Sequence, residues 1–374
     1  MNFELVPFLE VFRDASGGNK KSLQKDILDQ GQIPVVDQGQ SLVAGYVNDR
    51  SRACNAPPPV IVFGDHTRCF KYVDFEFAMG ADGTKILVPK VESNMKFLYY
   101  ALKALNIPSA GYSRHYKFLK EARIPLPPLD EQKRIARILD AADALRAKRR
   151  ESLAQLDTLL QSTFLDMFGD PVTNPMGWDV VPLAEVCNII TGFAFPSGEF
   201  LPKHAGHALC RGVNVGIGTI NWRERVDWTE EQSSEMERFR LAVNDIVLAM
   251  DRPWISTGLK IAIVKEADLP ALLVQRVSRI RCPDDATLAL VYALINSPKF
   301  EHHCSPTETT IPHISPKDIK GFPIIQPPID SQRRFEAIVR SVEQQKIRQR
   351  AHLDELDTLF ASLQQRAFNG ELSS

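Results

Sequence analysis

The sequence has few cysteines, no long apolar run and no excess of charge of either sign. Its six cysteines form no Cys-x-x-Cys pair in a chain of 374 residues, so a disulfide scaffold is not expected and reduced thiols are the simplest account. No stretch approaches 18 apolar residues, and the first residues show no basic segment followed by an apolar one. We therefore expect a soluble cytoplasmic protein without membrane spans.

The balance of charge gives no general indication of a nucleic-acid partner. Lysine and arginine total 45 against 46 acidic residues, which leaves a formal net charge of −1. Any basic surface must be local, and a DNA-binding chain of this composition would need partners that supply further phosphate contacts. A hydrophobic fraction of 44% and this length allow two ordinary globular domains with connecting elements.

Motifs of the common nucleic-acid enzymes are incomplete in this sequence. Asn55–Pro59 lacks the aromatic residue of an adenine methyltransferase motif, Gly216–Gly218 lacks a third glycine, and Ser16–Ser22 has lysine where a phosphate loop needs glycine. Glu131–Lys133 has the letters of a nuclease motif, but helix capping explains it. His302–Cys304 has no second ligand cluster of matching spacing. We predict no catalytic site, cofactor or metal.

An internal repeat dominates the chain. Residues 124–170 and 324–370 align without a gap at an offset of 200 positions. Two unrelated helices could share apolar spacing, but not a proline pair, a tetrad and a length together, so we infer duplication. In the first copy the matching residues are Pro127-Pro128, Gln132, Arg134, Leu156-Asp157-Thr158-Leu159 and Phe168, which correspond to Pro327-Pro328, Gln332, Arg334, Leu356-Asp357-Thr358-Leu359 and Phe368.

Each copy is predicted to be one long helix. Apolar residues recur at steps of three and four, which is typical of a coiled coil or bundle. Prolines and acidic residues mark each start, while Gly169 and Gly370 mark the ends. About 39 residues at a rise of about 1.5 Å give a rod of roughly 58 Å.

A duplicated unit of globular region plus rod can close on itself about a pseudo-twofold axis. We therefore predict an α+β protein in which two long antiparallel helices form a coiled-coil spacer between two mixed α/β domains. The predicted boundaries are a first globular domain at 1–128, a first spacer helix at 129–170, a second globular domain at 171–328 and a second spacer helix at 329–374.

Both helices become basic at their midpoints. The residues are Arg146, Lys148, Arg149 and Arg150 in the first copy, and Lys346, Arg348 and Arg350 in the second. One interpretation is a solvated middle whose aliphatic stems lie along the rod. The other is a shared basic strip that faces DNA phosphates or an acidic partner.

The two globular regions show little sequence resemblance to one another. Strands are predicted in the first at 33–36, 60–63 and 85–88, with an Asp82-Gly83 turn and a helix over Asn94–Leu105. In the second, strands are predicted at Val243–Ala249, Leu259–Val264 and Val277–Ile280, followed by a helix at Thr287–Ile295. Similar scaffolds with different loops would suit two modules that recognise different sequences.

Loops that mix amide, basic and aromatic side chains are the candidate DNA-contacting segments. Arginine pairs with guanine edges, glutamine and asparagine pair with adenine, and threonine and lysine reach phosphates. For any single residue, ordinary surface or turn chemistry is the competing interpretation, so the clusters carry the prediction. The candidates are Gln38, Gln40, His66, Arg68, Tyr112, Arg114, His115, Lys117, Arg211, Asn214, Arg252, Lys260, Gln275, Arg276, Thr309 and His313.

Over nearly its full length the chain resembles a specificity subunit of a type I restriction–modification system. The resemblance is carried by Ile124–Gln132, its echo at Pro327–Gln332, the two Leu-Asp-Thr-Leu helices, Asn244–Ala249 and the Gln275-Arg276 step. It implies that each recognition region reads half of a bipartite target in double-stranded DNA and that the helices act as a ruler. It also implies partners: two methyltransferase (modification) subunits using S-adenosylmethionine, and motor-nuclease (restriction) subunits.

One departure from the family pattern lies at the second helix start. Residues 324–331 lack the Ile-Pro-Leu-Pro-Pro sequence and have Ser331 where the first copy has Glu131.

The alternative to a DNA-reading subunit is a protein of another functional class, a coiled-coil adaptor whose end domains bind proteins. It predicts no salt-dependent DNA binding, whereas phosphate contacts make affinity fall steeply with salt.

Overall fold

The computed structural model describes residues 3–109, 111, 113–304 and 313–372, apart from the side chains of 232–235. The chain divides into two compact units: one contains the described residues of Met1–Ser152 and Gln349–Ser374, and the other is Leu153–Arg348. The helices are α1 Phe8–Val11, α2 Met95–Ala104, α3 Tyr116–Glu121, α4 Leu129–Phe168, α5 Leu183–Val186, α6 Glu230–Ser233, α7 Asp285–Ile295, α8 Pro298–Cys304, α9 Pro316–Gly321 and α10 Ile329–Phe368, with short 3₁₀ turns at Gln24–Asp26, Arg50–Arg52, Ser197–Glu199, Ser234–Phe239 and Glu266–Asp268.

The strands are short and fall into corresponding sets in the two units. In the first unit they are β1 Leu5–Pro7, β2 Phe12–Asp14, β3 Ile33–Val36, β4 Gly45–Val47, β5 Val60–Gly64, β6 Phe70–Val73, β7 Ala78–Met79, β8 Thr84–Pro89 and β9 Arg123–Pro125. In the second unit they are β10 Val180–Pro182, β11 Asn188–Thr191, β12 His207–Cys210, β13 Asp227–Trp228, β14 Ile246–Ala249, β15 Trp254–Ile255, β16 Gly258–Leu259, β17 Ile261–Ile263, β18 Ala271–Leu273, β19 Val277–Arg281 and β20 Pro323–Ile325.

The first unit is built around an antiparallel sheet in the order β2-β8-β5-β6. Strand β5 is apolar throughout and buried on both faces, because successive side chains point to opposite sides. Ile61 and Phe63 pack with α2 residues, whereas Val60 and Val62 pack with Val36 and Phe77 beside a second sheet in the order β4-β3-β7. A strand of β-branched and aromatic residues therefore forms the centre of a layered core.

The second unit repeats this arrangement. Its central sheet runs β11-β19-β14-β17, and a three-stranded sheet runs β13-β12-β18 with β12 and β18 parallel, as β3 and β7 are in the first unit. On β14, Ile246 and Leu248 face the helical side with α7, while Val247 and Ala249 face the smaller sheet. The two regions thus share one topology although little of their sequence matches.

A short signal for this relationship is present in the sequence. The sheet-containing part of each unit begins with a strand, one helical turn and a second strand, and in each the first strand pairs antiparallel with the strand that precedes a long helix. Val6-Pro7 and Glu10-Val11 of the first unit match Val181-Pro182 and Glu185-Val186 of the second. Four matches around one helical turn are easily overlooked when the intervening loops differ.

Most predicted elements are confirmed, with two corrections in the second unit. The predicted helix over Asn94–Leu105 is α2, whose N-cap Asn94 accepts a hydrogen bond from the Phe97 amide at 2.9 Å. The strand predicted from Val243 begins at Ile246, because Asn244 has a φ of 70° and turns the chain before it. The strand predicted over Leu259–Val264 is broken at Lys260 into β16 and β17.

The long helices are confirmed at 40 residues each, about 60 Å at a rise of about 1.5 Å per residue. Proline pairs precede both. At the end of α10, Gly370 has a φ of 73°, and the amides of Glu371 and Gly370 donate to the carbonyls of Arg366 and Ala367. This is a Schellman C-terminus, which needs a left-handed residue that glycine supplies without strain.

Within each unit the two helix segments pair antiparallel. In the first unit Arg134 contacts the Leu372 carbonyl and Arg146 contacts Asp357, so residue numbers rise along one helix as they fall along the other. In the second unit Phe164 and Phe168 pack on Phe335. The predicted antiparallel pairing of the two helices is therefore confirmed within each unit.

The basic midpoint divides between two environments. Lys346 is buried and Arg146 is half-buried, each in ion pairs with carboxylates, an arrangement that neither interpretation of the midpoint included. Lys148, Arg348 and Arg350 are exposed, as both interpretations required.

Candidate nucleic-acid interface

In the first unit, Asp65 anchors three loops at the end of β5. Its side chain is buried, with 2% of the residue exposed, and neighbouring groups form hydrogen bonds with its polar atoms. The carboxylate accepts a hydrogen bond from the Tyr116 amide at 2.6 Å, and the Asp65 amide donates to the Gly83 carbonyl at 2.7 Å. The His115 amide and Nδ1 each lie 2.9 Å from the Asp65 carbonyl. The loops at 64–68, 80–84 and 113–117 are thus held together.

A fourth loop, residues 37–40, joins the same cluster. The Gln38 side-chain oxygen accepts a hydrogen bond from the His66 amide at 3.2 Å, and the buried Lys71 ammonium donates to the Asp37 carbonyl at 2.8 Å. Gly83 has a φ of 77°, and a Cβ there would lie 2.6 Å from that Gln38 oxygen. Glycine adopts this positive φ without strain and leaves room for the Gln38 side chain.

The predicted residues of this cluster differ in exposure. Gln40, His66, Arg68, Arg114 and Lys117 are exposed, and Gln38 is half-buried. His115 is 1% exposed, so its role is to hold the Asp65 loop rather than to present its ring. The cluster therefore offers amide, imidazole and guanidinium groups to a ligand from a rigid base.

A groove of about 460 Å³ opens beside Arg114. It is lined by Lys21, Lys85 and Arg114, but also by Asp14 and Asp82, so its charge is mixed. Lys85 and Asp14 form an ion pair at 2.7 Å. Burial raises the pKa of Asp14, but the hydrogen bonds from Lys85 and Ser16 outweigh it and hold the pKa below its ordinary value.

The second unit has a corresponding cluster around Asp251, which follows β14. His313 Nδ1 lies 2.6 Å from one carboxylate oxygen, and Arg276 Nε lies 3.7 Å from the other. The Met250 amide donates to the Arg276 carbonyl, and the Ile314 amide donates to the Met250 carbonyl, each at 2.9 Å. Three loops thus meet at Asp251 as they do at Asp65.

Exposed side chains surround the Asp251 cluster. Arg252 and Arg276 have φ values of 44° and 67°, which place both in the left-handed region typical of turns. Both side chains are exposed, as is that of Gln275. Burial lowers the pKa of Lys260, against the opposing charge of Asp251. Adjacent amide and guanidinium groups are thus presented at Gln275-Arg276.

Two predicted residues brace a turn instead. Asn214 is fully buried; its side chain accepts from the Arg211 amide at 3.1 Å and donates to the Asn221 carbonyl at 3.0 Å. Arg211 donates to the Glu224 carbonyl and lies 5.9 Å from the Phe200 ring centroid. Tyr112 and Thr309 lie outside the described residues.

Asp65 and Asp251 were missed as site residues by sequence reasoning, although their loops were identified. The available signal was an aspartate at the end of a strongly apolar strand in each region, directly after β5 or one residue beyond β14, and directly before His66 or Arg252. In the described parts of the chain, no cluster of three or more histidine, cysteine, aspartate or glutamate side chains could hold a metal ion. Among the same residues, no helix is long and apolar enough to cross a membrane.

Comparison with known proteins agrees with this arrangement. Residues 2–156 match the type I restriction modification DNA specificity domain. The chain is 34% identical over 159 residues to the type I restriction enzyme EcoAI specificity subunit of Escherichia coli, covering 41% of this chain and 27% of that protein. It is 29% identical over 262 residues to the MjaVIII specificity subunit of Methanocaldococcus jannaschii, covering 66% and 60%. The chain thus spans between about a quarter and three fifths of these relatives.

The fold matches a solved structure over almost its whole length. A type I restriction–modification system S subunit from M. genitalium aligns with a TM-score of 0.56, covering 98% of this chain and 96% of that one at 18% sequence identity. At this identity the likeness concerns the fold, and it extends to the second unit, most of which lies beyond residues 2–156.

Proposed function

We propose that this chain is a specificity subunit of the type I restriction–modification family and that it reads two separate short DNA sequences, one with each loop cluster. The observation that carries the proposal is the pairing of one scaffold with two different loop sets. Gln40 and Arg114 are exposed in the first cluster, and the adjacent Gln275 and Arg276 are exposed in the second. A buried apolar strand leads to each cluster.

The chemistry of these groups suits base recognition. An arginine fork pairs with the two acceptors of a guanine edge and a glutamine amide with adenine, each with about 1–3 kcal/mol of discrimination. Lys117 and Lys260 suit phosphate contacts, which position the protein without carrying sequence information. With a formal net charge of −1, the chain relies on such local groups and on its partners.

The boundaries of the recognition domains at 1–128 and 171–328 are part of this proposal, with the long helices as the spacer that sets the gap between half-sites. Two methyltransferase subunits and the restriction subunits are the proposed partners, and the chemistry is theirs. A groove on the helix pair of the first unit offers one docking surface, since Leu145 and Leu359 are exposed there between Lys148 and Glu355.

Co-purification with the product of a neighbouring methyltransferase gene, followed by selection from random duplex DNA, tests the proposal. We expect two short half-sites at one fixed spacing, with an affinity that falls steeply between low and physiological salt. A stable complex that enriches no sequence would instead support the protein adaptor.

A further inference from the structure

An ion-pair triad lies in the helix seam of the first unit. Arg146 donates to Asp143, one turn back on its own helix, at 2.6 Å and to Asp357 on α10 at 2.5 Å. The guanidinium carbon also lies 4.3 Å from the Phe360 ring centroid. Arg146 is thus held by two carboxylates and an aromatic face.

The second unit contains the same triad at an offset of 200 residues. Lys346 Nζ lies 2.6 Å from Glu343 on its own helix and 2.6 Å from Asp157 on α4. Asp157 and Asp357 are the aspartates of the two Leu-Asp-Thr-Leu tetrads, so the aspartate of each tetrad forms a cross-helix ion pair. Leu160 stands where the first unit has Phe360, which fits a lysine that has no planar group to stack.

The side chains of Lys346 and Arg146 are less exposed than those of the neighbouring basic residues. The Lys346 side chain is 8% exposed and that of Arg146 is 16% exposed, whereas Lys148 and Arg348 are exposed. Burial lowers the pKa of Lys346, but its hydrogen bonds to Asp157 and Glu343 outweigh this and raise it above its ordinary value. A buried cation without a carboxylate is strongly unfavourable, so the position of the partner matters most at Lys346.

The sequence around each partner shows what a slip of the helices would cost. Residues 153–161 contain Asp157 and no other acid, so sliding by one turn, about four residues, removes the cross-helix partner of Lys346. Residues 353–361 contain Asp354 and Glu355 as well as Asp357, so Arg146 has other partners nearby. The two triads therefore occupy equivalent positions, but the Lys346 triad specifies one helix register more strictly than the Arg146 triad does.

We propose that the Lys346–Asp157 pair fixes the register of the helix pair, with Arg146–Asp357 as its more permissive counterpart, and that this register sets the gap between the two DNA half-sites. The second clause rests on the proposed function. Lys346 is then a positioning residue that contacts no base.

The test uses the full chain in complex with its methyltransferase subunits and a duplex library that carries both selected half-sites at varied gaps. The variants are Lys346→Glu, Asp157→Lys and the two together, with Arg348→Glu as the matched control because Arg348 is exposed two residues away. We expect Lys346→Glu to reduce the preference for the best gap over its neighbours by about tenfold or more, and the double variant to restore it. The control should keep the original preference.

The possible results separate the register role from the proposed function. If the Lys346→Glu complex binds more weakly but keeps the original gap preference, the residue is merely structural and the register proposal is overturned. A double variant that stays as unselective as the single one contradicts it as well. If the unaltered complex selects no bipartite site at all, the proposed function itself fails.

Discussion

The two units build the same sheets and helices but anchor their loops with aspartates in different environments. Asp65 and His115 of the first unit are buried, at 2% and 1% exposed, whereas the side chains of Asp251 and His313 in the second are 46% and 34% exposed. The first anchor bonds mainly to backbone, and the second bonds to the side chains of a histidine and an arginine. The same topology can thus hold its loops through buried hydrogen bonds to backbone or through solvent-accessible ion pairs.

The difference extends to how each unit packs against the helix pair. In the first unit α2 supplies Phe97 and Tyr100, which contact Phe368 and Phe360 of α10. In the second unit the aromatic cluster lies between the helices themselves, formed by Phe164, Phe168 and Phe335. The same topology is therefore stabilised by different residues, and equivalent substitutions should have unequal effects.

The largest inequality is expected at Phe335, whose counterpart is Ile135. Phe335→Ala removes a buried ring that packs on Phe164 and Phe168, at centroid distances of 5.7 and 5.4 Å. It should lower the free energy of unfolding by about 3–5 kcal/mol. Urea unfolding with hydrogen exchange on peptides should show the second unit losing protection first. Phe335→Ile, which installs the counterpart's side chain, should still cost about 1–3 kcal/mol; a neutral effect would show that the aromatic cluster is dispensable.

The next prediction compares the two loop anchors. Asp65→Ala leaves the buried Tyr116 amide without its acceptor and should cost about 1.5–3 kcal/mol. Asp251→Ala removes half-exposed ion pairs and should cost less than about 1 kcal/mol while weakening DNA binding, because Arg276 and His313 lose their partner. Chemical denaturation measures the first effect and titration with the selected duplex the second. Equal stability losses would contradict the difference in anchoring.

A smaller inequality is expected at the matched glutamines of the helix starts. Gln132 donates to the Pro127 carbonyl at 2.8 Å and accepts from the Asn94 amide at 2.9 Å, whereas Gln332 donates to the Pro327 carbonyl at 2.8 Å. Gln132→Ala should cost about 2 kcal/mol and Gln332→Ala about 1 kcal/mol, since fewer buried groups lose partners. Thermal unfolding of both variants checks this order. A larger loss of stability in Gln332→Ala than in Gln132→Ala would contradict the prediction.

The smallest expected effect concerns the guanidinium that stacks in the first unit. Arg146→Lys keeps the charge beside Asp357 but loses planar stacking on Phe360 and should cost about 0.5–1 kcal/mol. Combining it with Phe360→Leu, the residue found in the second unit, should abolish that difference in a double-mutant cycle. A coupling energy of zero would show that the stacking contributes nothing.

The helices were the most predictable part of the molecule because their signals are local. Apolar spacing, proline pairs, Gly169 and Gly370 mark each helix from neighbouring residues, and the offset of 200 shows that the two helices are copies of one another. The strand at Val60 was equally clear, since a short β-branched run is typical of a buried strand. The start of the strand after Asn244 was misplaced because the Asn244-Asp245 turn signal was read as part of the strand.

The candidate site was predictable as loops but not as individual roles. His115 and Asn214 have the residue types of base-reading groups, yet both are buried to brace backbone from distant loops. Whether such a side chain faces a ligand or its own chain depends on tertiary contacts that no local pattern encodes. The Asp65 and Asp251 anchors belong to the same class, since their partners lie about 50 and 62 residues away along the chain.

Selection of DNA by three complexes tests the two-reader account most directly: the unaltered chain, Arg114→Ala and Arg276→Ala, each with its methyltransferase subunits. The account predicts that the unaltered chain selects two half-sites and that each variant loses about 1–3 kcal/mol of preference in one half only, a different half for each. Loss of the same half by both variants, or of both halves by either one, would contradict it.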